Sequence, residues 1–451
     1  MDASDPLARL QHPAEARSLA LDAIELMRKV LPICRSITGD GVRTTLDILA
    51  AVTPLQRFEV SSGTAAFDWE VPLEWNIREA YVIAPSGERV IDFRLNNLHV
   101  LGYSAPIHAR MPLAELRRHL FSLPEHPDWI PYRTSYWKEQ WGFCLAHRQL
   151  EALQDGTYEV VIDSSLAPGH LTYAECRIPG ESRDEFLVFT HICHPALAND
   201  NASGMAVAAL IARSLARSCP QLSYRFVFAP ATIGSITWLS QNEEAARALR
   251  GGIVIGLLGD RGQLTYKRSR RGDTEVDRIA ASTVRSLDSA ARVLDFSPYG
   301  YDERQFCSPG FDLPVGRLTR SPNSEYPEYH TSADNLDLVD VDSLAQSIMA
   351  IAQIINRVDM NRRLRSRQQN CEPRLGKRGL FRSTGGQNPA DLEYALLWLL
   401  NQADGTHGLV DIGAASGLPD SLLRSAADAL LDAGLLEYAD AESLACHVAN
   451  E

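Results

Sequence analysis

The stretch Phe189 to Gly204, FTHICHPALANDNASG, sets two histidines and an aspartate within ten residues. His191 and His194 offer imidazole nitrogens, Asp200 a carboxylate and Cys193 a thiolate, the donor types from which proteins build zinc sites. A lone histidine on a strand is more often a hydrogen-bonded structural imidazole, but several donors crowding one loop favour the metal. Asp200 also suits a helix N-cap, a task that Asn199 or Asn201 could take over. A second stretch, EYPEYHTSADNLDLVD from Glu325, places His330 ahead of Thr331 and a run of acids. By itself it is a weak signal.

These residues need a scaffold. EFLVFT, residues 185–190, is nearly all apolar and predicts a central strand covered on both faces. Tyr158 to Asp163 predicts another strand. A helix follows over Ala202 to Arg217, then a strand (Tyr224 to Ala229), a helix (Ile236 to Arg250) and a strand (Ile253 to Leu258). This alternation is that of an α/β fold with crossover helices, whose sites lie at strand ends. Residues 15–52 predict two helices separated by a turn at Ser36 to Asp40. Trp, Tyr and β-branched runs over 63–133 predict an inserted β-rich subdomain, which divides the main domain into 1–62 and 134–360. Asn361 to Arg382 holds eight basic residues against one acid and predicts a surface linker over 361–389. Residues 390–451 then read as helix, turn at Asp404-Gly405, helix, Gly417-Leu418-Pro419, longer helix and a wing strand in AGLLEY, a winged-helix pattern.

Composition narrows the function classes. The 451 residues are 45% hydrophobic and 22% charged with a net charge of −13, as for a folded globular chain that is no general polyanion binder. The longest clean apolar run, Met205 to Ala212, is eight residues, against roughly 20 for a membrane helix. The first residues lack the basic head and apolar segment of a secretory signal, so a cytoplasmic location is expected. The eight cysteines show no CxxC pair, as expected of reduced thiols.

At this point the chain resembles a known family, the zinc-dependent aminopeptidases of the phosphorylase/hydrolase-like fold. Tyr329, His330, Thr331 and Asp334 match that family's last-ligand segment. Asp200, Asn201, Ser203 and Gly204 match its metal-carboxylate turn, and His191 its first histidine. More narrowly, the chain is similar to the subfamily labelled polysaccharide-biosynthesis proteins with an aminopeptidase-like domain, which carries an inserted β subdomain and a C-terminal winged helix. The matching pieces are RSITGDGV (35–42), FDWEVPLEWNI (67–77), WGFC (141–144), HICHP (191–195), DERQFCSPG (302–310) and EYHTSADN (328–335), spread over nearly the whole chain.

The resemblance implies a metallo-amidohydrolase with a mixed central sheet, and two departures refine it. The large family holds two zinc ions with further carboxylates, but the corresponding segments here read APATIGS and GIVIGLLGD. One zinc on His191, Asp200 and His330 is therefore expected, with an open position for water; His194 and Cys193 stand as alternative ligands or supports. The subfamily's Pro-Glu-Thr-Ile-Gly, whose Glu is the expected general base, here reads Pro230-Ala231-Thr232-Ile233-Gly234. Alanine cannot move a proton. The chain is then a natural inactive relative or one whose Glu was replaced to trap substrate, and the intact surroundings favour replacement. Asp302 to Phe306 resembles a family loop near the metal. Asp302 or Glu303 is expected to orient ligands or bind a substrate amine, and Arg304 to clamp a carboxylate or oxyanion, against the alternative of a surface ion-pair cluster. Tyr329 is expected at the substrate, as is Arg268 in the YKRSRRG run should that run attract an acidic ligand.

The favoured reading is hydrolysis of a small peptide or aminoacylated metabolite, followed by a non-catalytic binding protein on the same fold. A DNA-binding regulator is disfavoured, since residues 390–451 carry eleven acids against the single base Arg424. The winged helix is expected to pack on the main domain or on another subunit, leaving a homo-oligomer open and neither nucleic acid nor membrane as a partner.

Overall fold

A proline in the first turn and apolar residues at helical spacing start α1 (Pro13–Val30), which buries Leu19, Ala23, Leu26 and Val30 on one stripe. Next come α2 (Asp40–Ala50) and the strands β1 (Gln56–Ser61), β2 (Glu74–Ile83), β3 (Arg89–Asp92), β4 (Ile107–Pro112), β5 (Thr157–Ala167), β6 (His170–Ile178) and β7 (Glu185–His191). They are followed by α3 (Gly204–Leu215), β8 (Ser223–Ala229), α4 (Ile233–Gln241), β9 (Leu249–Ile255), β10 (Thr265–Lys267), α5 (Glu275–Leu287), β11 (Arg292–Leu294), β12 (Val315–Thr319) and α6 (Val341–Met360). The computed structural model describes residues 6–380 and 391–439.

The fold is mixed α/β. Eight strands form the central sheet in the order β1-β6-β8-β7-β9-β12-β10-β11. Its middle is parallel, with β7 beside β9 and β9 beside β12, whereas β1 with β6, β6 with β8, and β10 with β12 are antiparallel. Every residue of β7 is buried, in keeping with the apolar run Phe186 to Phe189 at its middle.

Three sequence boundaries shift. β9 begins at Leu249 and not Ile253, because the Gly251-Gly252 pair lies inside the strand. Backbones approach so closely there that a Cβ on Gly252 would lie 2.7 Å from Leu187 Cβ. The β-rich part reaches beyond residue 133: its four-stranded sheet runs β3-β2-β5-β4, so it needs β5 from residues 157–167. Trp75 pairs with Leu166 and Ile83 with Glu159 along that register. The basic stretch after 361 is partly structured rather than a bare linker. β13 (Arg363–Ser366) alternates exposed arginines with buried Leu364 and Ser366.

By contact density the described chain divides into two units, the second built from Pro179–Arg183, Cys219–Ser223 and the residues from Gln353 onward. Within that unit β13 lies between β14 (Asp404–Gly408) and β15 (Leu436–Tyr438), with α7 (Asp391–Gln402), α8 (Leu409–Ser416) and α9 (Asp420–Asp432). The expected Asp404-Gly405 turn is thus the start of a strand. Leu364, Leu396, Leu399, Leu423 and Leu430 form its core. Arg367, in the basic stretch, pairs with Glu437 of β15 at 3.1 Å. The remaining linker residues 381–389, together with Cys446, Asp440, Glu442 and Glu451, lie outside the described residues. Among the described residues no helix is long and apolar enough to cross a membrane.

Candidate functional site

Strand β7 delivers His191 at its last residue, and the loop after it carries Cys193 and His194 before the turn 198–203 that opens α3. Two asparagines fix that turn. Asn201 donates to Thr190 Oγ1 and His191 O at 2.9 Å each, and Asn199 accepts from Gly259 N at 2.8 Å, which binds the turn to the chain following β9. Gly204 is needed here, since a Cβ would fall 2.3 Å from Asn201 Oδ1. Asp200 is thereby freed from capping the helix. Its side chain turns instead to His191 Nε2 at 2.9 Å, His330 Nε2 at 3.0 Å and the Tyr301 hydroxyl at 2.6 Å.

Asp200 is completely buried, and His191 and His194 are nearly so. Burial by itself would raise the Asp200 carboxyl, but the imidazoles of His194, His191 and His330 outweigh it and hold the group well below its ordinary range. Burial drives His194 the opposite way, well below the usual imidazole value. Donor atoms of His191, His194 and Asp200 lie within 4.8 Å of one another. His330, with φ of +56°, is held from behind by Tyr132, whose N–H donates to His330 O at 2.7 Å. The Tyr132 ring packs on both His194 and His330.

A second layer fixes these groups. Asp334 accepts from the N–H of Asn199 at 2.5 Å and of Asp200 at 3.0 Å, and burial pushes its carboxyl up to about 7. Arg35 donates to His194 O at 2.7 Å, so the RSITGDGV motif reaches the site through its first residue. The Tyr329 hydroxyl lies 2.8 Å from that of Tyr301. Cys193 Sγ accepts from Ala231 N at 3.3 Å and lies 3.4 Å from His194 Nδ1. Burial pushes its thiol up to about 12, so it stands protonated behind His194. Ala231 follows β8, the strand beside β7, and packs against Leu257, Tyr301 and Tyr326.

The remaining expected residues are placed differently. Glu303 is fully buried and taken up by Lys267 Nζ at 2.8 Å and Tyr301 N at 3.1 Å, so it braces the Tyr301 loop instead of facing a substrate amine. Asp302 accepts from Ser235 Oγ at 2.6 Å and leaves Oδ2 buried without a partner; burial pushes this carboxyl up to about 7. Arg304 keeps a buried Nε without a partner. Arg268 donates to Gly272 O at 3.1 Å and contacts none of the site residues among those described. Tyr301 and Tyr132 escape the sequence reading because neither belongs to a recognisable ligand pattern. Only their packing on His191 and His330 reveals them.

Residues 24–361 match the family described as Domain of unknown function (DUF4910). The chain belongs to this family. Residues 362–438 match a winged helix-turn-helix family, so the C-terminal domain is a winged helix. A Clostridium acetobutylicum relative, named for polysaccharide biosynthesis and an aminopeptidase-like domain, is 49% identical over 91% of this chain and 95% of its own length. A crystal structure from the same organism, named as a peptidase, superposes with a TM-score of 0.86 at 46% identity, covering 94% of this chain and 98% of that one. A zinc aminopeptidase from Bacillus subtilis shares the fold at a TM-score of 0.54 and 12% identity, covering 75% of this chain and 95% of that one. This DUF4910 protein therefore has an aminopeptidase-like fold.

Proposed function

We propose that the chain is a single-zinc amide hydrolase of aminopeptidase type, acting on a small peptide or aminoacylated metabolite, with its proton-transfer step disabled at Ala231. One observation carries this reading. Asp200 is a fully buried carboxylate that, among the described residues, meets imidazoles and a tyrosine hydroxyl but no Lys or Arg. A buried negative charge of that kind calls for a cation, and imidazoles beside a carboxylate make a zinc donor set. His191, Asp200 and His330 are the assigned holders, with His194 as an alternative donor, so that one position stays open for water. Bound zinc would supply Lewis acidity toward an amide carbonyl and lower the pKa of water.

The chain's own residues do the rest. Tyr301 and Glu303 keep Asp200 oriented, Arg35 and Asp334 set the backbones that carry His194 and Asp200, and the Tyr329 hydroxyl borders the space where an amide would lie. Ala231 stands where a carboxylate would take up a proton and return it to the leaving nitrogen. Losing such a base costs about 10²- to 10⁴-fold in rate, so this chain binds substrate far better than it turns it over. The same alanine favours the second reading, a ligand-binding protein on a hydrolase fold.

Metal analysis of the purified chain beside an Asp200→Asn variant tests the proposal. It expects one zinc per chain in the first and almost none in the second. A chain that holds no zinc, or holds it equally without Asp200, overturns it.

A further inference from the structure

Arg317, on β12, is 5% exposed. A guanidinium this deeply buried is ordinarily matched by carboxylates or carbonyls. Other buried arginines of the same unit comply. Arg225 meets Glu175 and Glu185, Arg35 meets Val30 O and His194 O, and Arg320 meets Gly262 O, Ser343 O and Gln346. Arg317 makes one hydrogen bond, from Nη2 to Asn323 Oδ1 at 2.5 Å. Among the described residues no carboxylate comes within 4.0 Å of it and no protein acceptor meets Nε or Nη1, and neither atom is one of the buried atoms left without a partner, so this edge of the guanidinium reaches solvent. Lys267, its register partner on β10, is already neutralised by Glu303. Asp302 feels the Arg317 charge only from beyond ion-pair range.

Its location gives this unmatched cation a meaning. The guanidinium carbon lies 4.5 Å from the Tyr301 ring centroid, and the His191 ring stacks on Tyr301 at the same separation, 26° from parallel. The Tyr301 ring thus touches both a candidate zinc ligand and the guanidinium, while its hydroxyl touches Asp200 and Tyr329. Contact with the ring leaves the Nε and Nη1 donors of that guanidinium unused by the protein. A planar anion is the ligand that this edge fits.

We propose that Arg317 receives a carboxylate of the substrate, which narrows the substrate class to small peptides or acylated amino acids that keep a free carboxylate. The assignment rests on the amide-hydrolase reading and specifies its substrate. It also moves the anion-binding role expected of Arg304 and Arg268 to a residue with no motif around it.

The test uses matched metal-binding probes on the full chain loaded with zinc: succinic and glutaric monohydroxamates against their uncharged alkyl counterparts, followed by calorimetry. At least a tenfold preference for a carboxylate probe is expected. Arg317→Gln should abolish that preference while leaving alkyl hydroxamate affinity in place, and Arg317→Lys, which keeps charge without the planar fork, should restore part of it. A merely structural arginine would weaken both probes of a pair equally. Equal affinities in the unmodified protein, or a preference that survives Arg317→Gln, overturn the assignment and leave the hydrolase reading intact. A chain without zinc that still prefers carboxylates through Arg317 keeps the anion site and overturns the hydrolase reading instead.

Discussion

Two buried charged clusters lie on the same central sheet, and they differ in whether their charges close. Around Arg225 the network is complete. The guanidinium meets Glu175, and Glu185 at 2.7 Å, while the Trp238 indole donates to Glu175 at 2.6 Å. Around Asp200 three imidazoles and a tyrosine surround one carboxylate, and no fixed cation balances it among the described residues. The first arrangement satisfies itself and asks for nothing further; it is architecture. The second holds donors that become fully satisfied only with a cation among them. Burial and charge are therefore poor guides to function one residue at a time, whereas unmatched burial is informative.

The comparison can be broken or sharpened by measurement. The largest effect is expected at the open cluster: Ala231→Glu should raise hydrolysis of aminoacyl amides by about 10²- to 10⁴-fold, read as turnover on a panel of such amides. Failure of this variant to gain activity while it still holds zinc would turn the comparison toward a binding protein. Next, Arg225→Met leaves Glu175 without its cation in the interior, while Glu185 keeps Arg177, and should cost about 3–5 kcal/mol in urea unfolding, with zinc content unchanged. A loss of zinc in that variant would show that the two clusters are not independent.

Smaller effects follow. Tyr301→Phe removes the hydroxyl that donates to Asp200 and should weaken zinc about 10- to 100-fold in a chelator competition. Least of all, Asp302→Asn should alter the pH dependence of stability. Burial lifts the Asp302 carboxyl from 3.8 to about 7. Between those values the folded state keeps a proton that the unfolded chain has released, so stability falls as pH rises through the window and the loss is complete above it. The asparagine avoids this penalty. Its melting temperature should exceed that of the parent by about 2 °C or more at pH 8 and match it near pH 4, taking about 2–4 °C per kcal/mol. An unchanged pH profile would mean that water reaches Asp302.

The alternation of apolar runs and helical periods determined the α/β class, because a strand covered on both faces is apolar along its middle, as Phe186 to Phe189 shows. Local spacing likewise identified His191, His194 and Asp200, since a strand end, a short loop and a helix start keep them together by chain connectivity alone. His330 could be placed only by resemblance, because it lies 130 residues from Asp200. Tertiary structure decided the rest. β5 joined the β-rich sheet from beyond the expected limit because its alternation fits β2 in register. Glu303 turned inward because Lys267 on a distant strand neutralises it. Tyr301, Tyr132 and Arg317 reach the site through ring stacking and strand register, interactions between residues far apart in the chain that leave no local pattern. Sequence thus carried the donors that connectivity holds together, and packing selected which other side chains would face them.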